Sequence, residues 1–232
     1  MPGEIYRNGS YLKNNPTWHA EDAPWKTKQI IKMLERNALS PKTICEVGCG
    51  AGEILAELQR KMDKECAFWG YEISPQAFEI CRKKENDKLH FKLADILKEK
   101  EGVFDLLLLI DVLEHMEDYF NFLREIKSKS VYKILHIPLD VSVQALLRGK
   151  RILKGQKSVG HIHYFTKETA IAALKDTGYE VLDHFYTGSL IELPVKSWKS
   201  YLAKMPRKIL FAINKDFAVR LMGGWSLMVL AK

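Results

Sequence analysis

The sequence contains no long hydrophobic run. No uninterrupted apolar stretch is longer than residues 106–110, which lie between Asp105 and Asp111, whereas a membrane-spanning helix needs about 18 apolar residues or more. The first four residues, Met-Pro-Gly-Glu, lack the basic and then apolar pattern of a signal peptide. These two absences lead us to expect a cytoplasmic protein without a transmembrane helix.

Cysteine is scarce. The four cysteines, at positions 45, 49, 66 and 81, form no CxxC pair. This spacing excludes the disulfide framework of a small secreted protein and the paired thiols of common zinc sites. We expect buried free thiols, with Cys49 as a small filler in its loop rather than a nucleophile.

Basic charge is concentrated in two segments. The chain of 232 residues carries a net charge of +7. Residues 141–167 contain six basic and no acidic residues, and residues 195–222 contain seven basic residues and one acidic residue. The rest of the chain is therefore mildly acidic, and we expect any anionic partner to meet these two segments. The hydrophobic content of 47% excludes a disordered chain.

Short β-rich segments alternate with helical patterns along most of the chain. This alternation predicts an α/β fold with a doubly wound, mostly parallel seven-stranded sheet and a C-terminal antiparallel hairpin. The predicted strands are 42–47, 67–73, 90–93, 104–112, 133–137, 179–187 and 225–231, and the main predicted helices are 53–62, 76–84, 119–128 and 166–176.

The length favours a single domain, 1–232, with three elaborations. These are an N-terminal helical arm (1–40), a basic insertion (140–165) and a helical excursion (194–222). Apolar residues three and four apart predict helix throughout the excursion. Pro206 is expected to divide it into two helices and to occupy the first turn of the second.

A glycine-rich loop, Glu-Val-Gly-Cys-Gly-Ala-Gly-Glu, follows the first predicted strand at residues 46–53. A dinucleotide fingerprint needs G-x-G-x-x-G, but here the third glycine, Gly52, comes one position early and Glu53 takes its place. Carboxylates at Glu46 and Glu53 favour a cationic cofactor over a pyrophosphate. No G-x-x-x-x-G-K-[ST] loop is present, which excludes a P-loop nucleotide site.

The motif E-x-G-x-G-x-G at 46–52 resembles the first motif of class I S-adenosylmethionine (SAM)-dependent methyltransferases. Glu72 ends the second predicted strand, Asp95 follows the third, and the fourth runs into Asp111. These features are similar to the family's ribose, adenine and fourth-strand positions, and the resemblance covers about residues 40–190. It implies SAM as the cofactor and a binding set of Glu46, Gly48, Cys49, Gly50, Gly52, Glu72, Ile73, Asp95, Ile96 and Asp111.

The N-terminal arm contains two tryptophans and a histidine before a proline-marked helix start. In the family that the chain resembles, a helix before the first strand covers the cofactor and helps to form the acceptor pocket. The resemblance implies that Trp18, His19 and Trp25 line that pocket. The alternative is a hydrophobic staple that anchors the arm to the body.

The element Asp111-x-x-Glu114-His115 straddles the end of the fourth predicted strand, where the crevice of a doubly wound sheet opens. His115 is a candidate general base because its ordinary pKa lies near neutrality. Similar elements bind a divalent ion in ubiquinone-pathway and small-RNA 2′-O-methyltransferases. We nevertheless expect no metal here, and the alternative is a structural role for Glu114 and His115 at the next helix start.

A second histidine stretch, His161-Ile-His163-Tyr-Phe-Thr166, follows the basic insertion. Alternation could place His161 and His163 on one side, so both are candidate bases and candidate acceptor contacts. The alternative is that one of them is bonded to the backbone. Thr166 is the expected N-cap of the following helix.

The resemblance implies a SAM-dependent methyltransferase, and the histidines favour O-methylation of a small-molecule, glycan or lipid-linked acceptor. The Asn/Asp-Pro-Pro-Tyr motif of nucleic-acid amino-methyltransferases is replaced by His-Ile-Pro-Leu at 136–139, which makes nucleic acid less favoured. The alternatives are a metal-assisted RNA ribose 2′-O-methyltransferase and a non-catalytic SAM-binding protein. For residues 194–222 the alternatives are a lid, peripheral membrane contact, RNA binding and a packed helix pair.

Overall fold

The computed structural model describes residues 15, 17–18, 20–99, 102–149, 152–153, 156, 159–193 and 198–232. The strands are β1 (Thr43–Val47), β2 (Ala67–Glu72), β3 (Leu89–Leu93), β4 (Phe104–Ile110), β5 (Ser130–Pro138), β6 (Val181–Thr187) and β7 (Ser226–Ala231). The helices are α1 (Ala23–Arg36), α2 (Glu53–Lys61), α3 (Pro75–Cys81), α4 (Tyr119–Ile126), α5 (Val143–Leu147), α6 (Lys167–Asp176), α7 (Ser189–Glu192), α8 (Trp198–Ile213) and α9 (Lys215–Met222).

The seven strands form one sheet in the order β3-β2-β1-β4-β5-β7-β6. Strands β1 to β5 are parallel, and β7 is antiparallel to both β5 and β6. The predicted doubly wound sheet with a C-terminal antiparallel hairpin is confirmed. The strand order reverses between β1 and β4, and a crevice opens at the carboxyl ends of the strands at such a point.

Strand β4 lies at the centre because both of its faces are apolar. Leu107 and Leu109 pack with α4, α6 and α9 on one face, and Leu106 and Leu108 pack with α1 and α2 on the other. A strand buried on both faces has a continuous apolar sequence. The two helical layers hold the carboxyl ends of β1 and β4 in a fixed position.

The helical excursion differs from its prediction. Pro206 lies inside α8, and the break occurs instead at Asn214. The side chain of Asn214 accepts a hydrogen bond from the Phe217 backbone N–H at 3.0 Å, which is an N-cap for α9. Pro206 and Leu202 are both exposed, so water can solvate the Leu202 carbonyl that the proline leaves without a partner. The expectation that Pro206 divides the helix is therefore wrong.

Other local predictions are confirmed. Helix α1 begins with a proline in its first turn, and Thr166 caps α6 in a reciprocal capping box with Thr169. Gly178, just after α6, has a positive φ of 86°, a conformation with which many helices end. Over the part of the chain that the structure describes, no helix has both the length and the apolar character needed to span a membrane.

Candidate active site

A cavity of about 1210 Å³ lies at the carboxyl ends of the parallel strands. It occupies the point where the strand order reverses, with α1 along one side. Gly52, which immediately precedes α2, is the one predicted cofactor residue that the cavity wall leaves out. The wall includes Glu46, Gly48, Cys49, Gly50, Glu72, Ile73, Asp95, Ile96 and Asp111.

The glycine loop requires glycine at its turning points. Gly48, Gly50 and Gly52 have φ values of 66°, 53° and 74°, in the left-handed region that other residues adopt only with strain. A Cβ added at Gly52 would lie 2.6 Å from the Phe91 ring and 2.8 Å from the Cys81 Cβ. A side chain at any of these three positions would therefore strain the loop backbone, and one at Gly52 would also collide with Phe91 and Cys81.

Glu46, the residue before the last one of β1, carries a buried carboxyl group. It is 2% exposed, and its Oε2 atom has no hydrogen-bond partner among the described residues. Burial raises the pKa of Glu46 to about 8, although the Lys26 ammonium partly opposes this shift. A buried acceptor without a partner on a cavity wall suits a ligand that brings a cationic donor.

Glu72 ends β2 with its carboxylate held by the backbone. Its Oε2 accepts a hydrogen bond from the Gly50 N–H at 2.8 Å, and its Oε1 accepts from Ile73 at 2.8 Å and Ser74 at 2.7 Å. Burial raises the pKa of Glu72, and these three N–H groups oppose the shift. A carboxylate has about four acceptor sites, so Glu72 keeps capacity for a ligand hydroxyl.

Asp95 lies on the same wall, after β3. Its side chain accepts from the Leu97 N–H at 3.0 Å and begins a short 3₁₀ helix, Ile96–Lys98. The turn places Asp95 and the buried Ile96 side by side. A polar acceptor beside an apolar surface suits a flat heterocycle.

Asp111 lies on the cavity wall with Lys26 and His136 beside it. Its Oδ2 lies 2.7 Å from Lys26 Nζ, and its Oδ1 lies 2.5 Å from His136 Nδ1. Burial alone would raise the pKa of Asp111, but Lys26 and His136 hold it well below its usual range. Asp111 therefore ties α1 to the ends of β4 and β5, in a backbone conformation with φ of 55°. Sequence analysis missed Lys26 and His136, and only their positions on an arm helix and a strand end could have indicated them.

The two tryptophans of the N-terminal arm lie on the cavity wall. Trp18 and Trp25 both line it, and the Trp25 indole N–H donates to Glu192 Oε2 at 2.7 Å. This bond links α1 to α7 across the cavity rim. His19, the third residue of the arm predicted to line the acceptor pocket, lies outside the described residues.

Two histidines, His115 and His161, meet on the cavity wall. His115 Nδ1 lies 3.1 Å from the Gly160 carbonyl oxygen, and His161 Nδ1 lies 2.6 Å from Asp140 Oδ2. Because a carbonyl and a carboxylate only accept, Nδ1 of each ring carries a proton, and in the neutral form of either ring the lone pair lies on Nε2. The ring centroids are 5.0 Å apart. Burial lowers the pKa of His115 to about 4, so this ring stays neutral near pH 7.

Glu114 completes a cluster with the two histidines. His115 Nε2 and His161 Nε2 lie 3.8 Å and 3.9 Å from Glu114 Oε1. Glu114 is 0% exposed, and neither of its carboxyl oxygens has a hydrogen-bond partner among the described residues. Burial, reinforced by Asp111 and Asp140, raises the pKa of Glu114 well above its ordinary value. One ligand atom from each of the three side chains lies within 4.8 Å of the others, a donor set that suits a divalent metal.

His163 lies apart from this cluster. Its ring packs on Tyr119, with centroids 4.8 Å apart, and its Nε2 lies 3.3 Å from the Glu117 carbonyl oxygen. Of the two histidines in the 161–166 stretch, His161 is the one on the described cavity wall. The polar partner that orients it, Asp140, was not identified from the sequence.

The fold and site together define a class I SAM-dependent methyltransferase. A seven-stranded sheet with a C-terminal antiparallel hairpin carries the glycine loop, and acidic residues lie at or next to the ends of β1 and β2. Residues 19–184 match the model of a family described as a methyltransferase domain, and the chain belongs to that family. SAM is its cofactor.

Similar proteins agree with this assignment. The chain is 29% identical over 114 residues to ajmaline N-methyltransferase of Rauvolfia serpentina, a match that covers 44% of this chain and 38% of that protein. It is 28% identical over 129 residues to (S)-coclaurine N-methyltransferase of Thalictrum flavum subsp. glaucum, which covers 52% of this chain and 36% of that protein. The chain therefore spans less than two fifths of the length of these relatives.

A solved structure gives the same fold. Magnesium protoporphyrin IX methyltransferase from Synechocystis PCC 6803, solved with bound SAH, has a TM-score of 0.60 at 16% identity. The match covers 94% of this chain and 85% of that chain. At this identity the likeness shows the fold alone.

Proposed function

We propose that the protein transfers the methyl group of SAM to an oxygen atom of a small-molecule, glycan or lipid-linked acceptor. The observation that carries this proposal is the pair of His161 and Asp140 on the cavity wall. The named relatives are small-molecule methyltransferases, which supports a small acceptor. Oxygen as the methylated atom is supported by His161 and not by these relatives, which are named N-methyltransferases.

The cofactor half of the cavity would hold SAM by complementary charge. In this proposal Glu46 and the backbone of Gly48 and Gly50 take the methionine end, and Glu72 takes the ribose. Asp95 and Ile96 lie beside the adenine. SAM supplies a methyl group that its sulfonium already makes electrophilic, so the protein mainly has to place the acceptor in line.

His161 would remove the acceptor proton. A hydroxyl group is a weak nucleophile and gains from a base that takes its proton as the new bond forms. His161 has its lone pair on Nε2, and Asp140 at Nδ1 stabilises the positive charge that the ring then acquires. His115 is the weaker candidate because its pKa is lowered to about 4. His163 is not proposed as the base, because its ring packs on Tyr119 of α4.

The whole chain would act as one methyltransferase domain, 1–232. Helix α1 of the N-terminal arm closes one side of the cavity through the ion pair between Lys26 and Asp111. The basic insertion (140–165) supplies Asp140 and His161, and α9 of the helical excursion (194–222) packs on α5 of that insertion. Trp18 and Trp25 supply apolar surface for the acceptor.

We expect tritium from methyl-labelled SAM to enter the small-molecule or lipid pool of a fractionated cell extract and to stay out of the RNA pool. The cavity that carries His161 is lined by apolar as well as polar residues, which suits a compact acceptor. Mass spectrometry of the labelled product then locates the methyl group on oxygen or nitrogen. Label in RNA alone would contradict the proposal, and label in no pool would favour a non-catalytic SAM-binding protein.

A second candidate function is metal-assisted methylation of an RNA ribose 2′-hydroxyl. The cluster of Glu114, His115 and His161 favours it, because these residues would hold a divalent ion. Such an ion lowers the pKa of a bound hydroxyl and can replace a protein base. The Asp140 carboxylate and the Gly160 carbonyl orient the two histidines in the way that outer partners of metal ligands do. The basic segments would provide contacts to phosphate.

The two candidates differ in their response to a chelator. We expect methyl transfer to survive EDTA, and we expect Mg²⁺ or Zn²⁺ titrated into the EDTA-treated protein to give no stoichiometric binding heat. Loss of activity in EDTA, restored by a metal, would favour the second candidate. So would a binding isotherm with one site per chain that disappears in Glu114→Gln and persists in His163→Ala, the matched control.

A further inference from the structure

Helices α5, α8 and α9 carry an unusually apolar exposed surface. Leu147 is 84% exposed and Ile213 is 76% exposed. Helix α5 packs on α9, and α9 packs on α8, so the exposed side chains lie on adjoining helices. We call this surface the apolar ridge: Leu146, Leu147, Leu202, Met205, Ile209, Ile213 and Phe217.

Helix α8 exposes apolar side chains while two of its cations turn inward. Lys204 is buried and donates a hydrogen bond to the Leu193 carbonyl, and Arg207 donates to Gln144 Oε1 of α5 at 2.7 Å. Ile209 and Ile213 meanwhile project into solvent. A surface helix normally turns its cations to water and its apolar residues to the core. This polarity indicates a surface that is covered by an apolar partner.

Exposed cations border the apolar ridge. Lys208 precedes Ile209, Lys215 lies between Ile213 and Phe217, and Arg148 follows Leu147; all three cations are exposed. Apolar side chains flanked by cations match the boundary between acyl chains and anionic headgroups. A second copy of this chain would bring like charges together at the same rim, which disfavours it as the partner.

The apolar ridge adjoins the cavity. Ala145 lies on α5 beside Leu146 and Leu147, yet it lines the cavity, as do Leu190 and Gly223 at the ends of the neighbouring helices. We propose that the apolar ridge docks the protein on an anionic membrane surface, from which a lipid-linked acceptor enters the cavity. The entry of a lipid-linked acceptor rests on the proposed function, whereas membrane docking is inferred from the apolar ridge and its bordering cations alone.

The test is sedimentation of the full chain with vesicles of phosphatidylcholine alone or with phosphatidylserine added. We expect binding to the anionic vesicles and about tenfold weaker binding by the double variants Ile209→Ser/Ile213→Ser and Lys208→Glu/Lys215→Glu. Lys204 and Arg207 are left unchanged because they face inward. Val103→Ser and Lys42→Glu, which change exposed residues far from the apolar ridge, are the matched controls and should bind normally.

Three results would overturn the docking proposal. The first is wild-type binding to anionic vesicles that is no stronger than binding to neutral vesicles. The second is self-association of the wild type that the Ile209→Ser/Ile213→Ser variant abolishes. The third is binding to RNA in place of vesicles. Methyl transfer to a detergent-dispersed acceptor is measured in parallel. Normal transfer with no vesicle binding refutes docking alone, and vesicle binding with no transfer to any acceptor refutes the proposed function alone.

Discussion

The Glu72→Ala variant is expected to bind SAM and its demethylated product S-adenosylhomocysteine at least tenfold more weakly than the wild type. A charge-assisted hydrogen bond contributes about 1.5–3 kcal/mol, and the variant would lose every bond to the ribose that the proposed function assigns to Glu72. It also leaves the N–H groups of Gly50, Ile73 and Ser74 without their acceptor. Isothermal titration calorimetry with both ligands measures the loss.

The matched control is Glu65→Ala. It removes the same carboxylate from an exposed site, where the Glu65 side chain is 76% exposed and pairs with Lys88, so its SAM affinity should be unchanged. Thermal unfolding of both variants separates lost binding from lost folding. An unchanged dissociation constant in Glu72→Ala would remove Glu72 from the ribose site, and NAD binding without SAM binding would refute the cofactor assignment.

The cofactor half of the site could be predicted because its signals are local. Gly48, Gly50 and Gly52 have positive φ values, which only glycine adopts freely. The alternation of strands and helices predicts parallel strands, and parallel pairing places the carboxyl ends of β1 and β2 at the same edge of the sheet. Glu46 and Glu72 therefore reach the cavity by virtue of their place at strand ends.

The acceptor half could not be predicted in the same way, because its key contacts join distant segments. Lys26 on α1 meets Asp111 after β4, and Asp140 after β5 meets His161. Hydrophobic periodicity predicts which face of a helix or strand is buried, but it does not predict which polar side chains meet at the ends of these elements. Alternation allowed both His161 and His163 to face one side, but the described chain there is not a strand.

The helical excursion shows a second limit of periodicity. Apolar residues three and four apart occur on two sides of α8: Leu210 and Phe211 pack on the core, and Ile209 and Ile213 are exposed. Spacing alone predicts a helix but does not say which apolar side meets the body. Pro206 does not end α8, because a helix interior tolerates a proline where water can reach the unpaired carbonyl.

For His161→Ala we expect kcat to fall by about 10²–10⁴, the usual contribution of a general base, with little change in SAM affinity. The His161 ring lies on the cavity wall beside His115 and Asp140, whereas the proposed function assigns SAM to Glu46 and Glu72. Asp140→Asn should lower kcat less and leave KM for the acceptor unchanged, because Asp140 acts through the ring that it orients. Steady-state kinetics with the labelled acceptor measure both effects.

The matched control is His163→Ala, which removes an imidazole that packs on Tyr119 away from the cavity. Its kcat should stay near the wild-type value. Wild-type kcat in His161→Ala would refute the base, and a loss confined to KM would make His161 a binding residue. Equal and complete loss in Glu114→Gln, His115→Ala and His161→Ala would indicate that the three side chains act as one unit, as metal ligands do. The base proposal instead requires His161→Ala to be the most damaging of the three, because only His161 has a carboxylate at Nδ1 to stabilise the protonated ring.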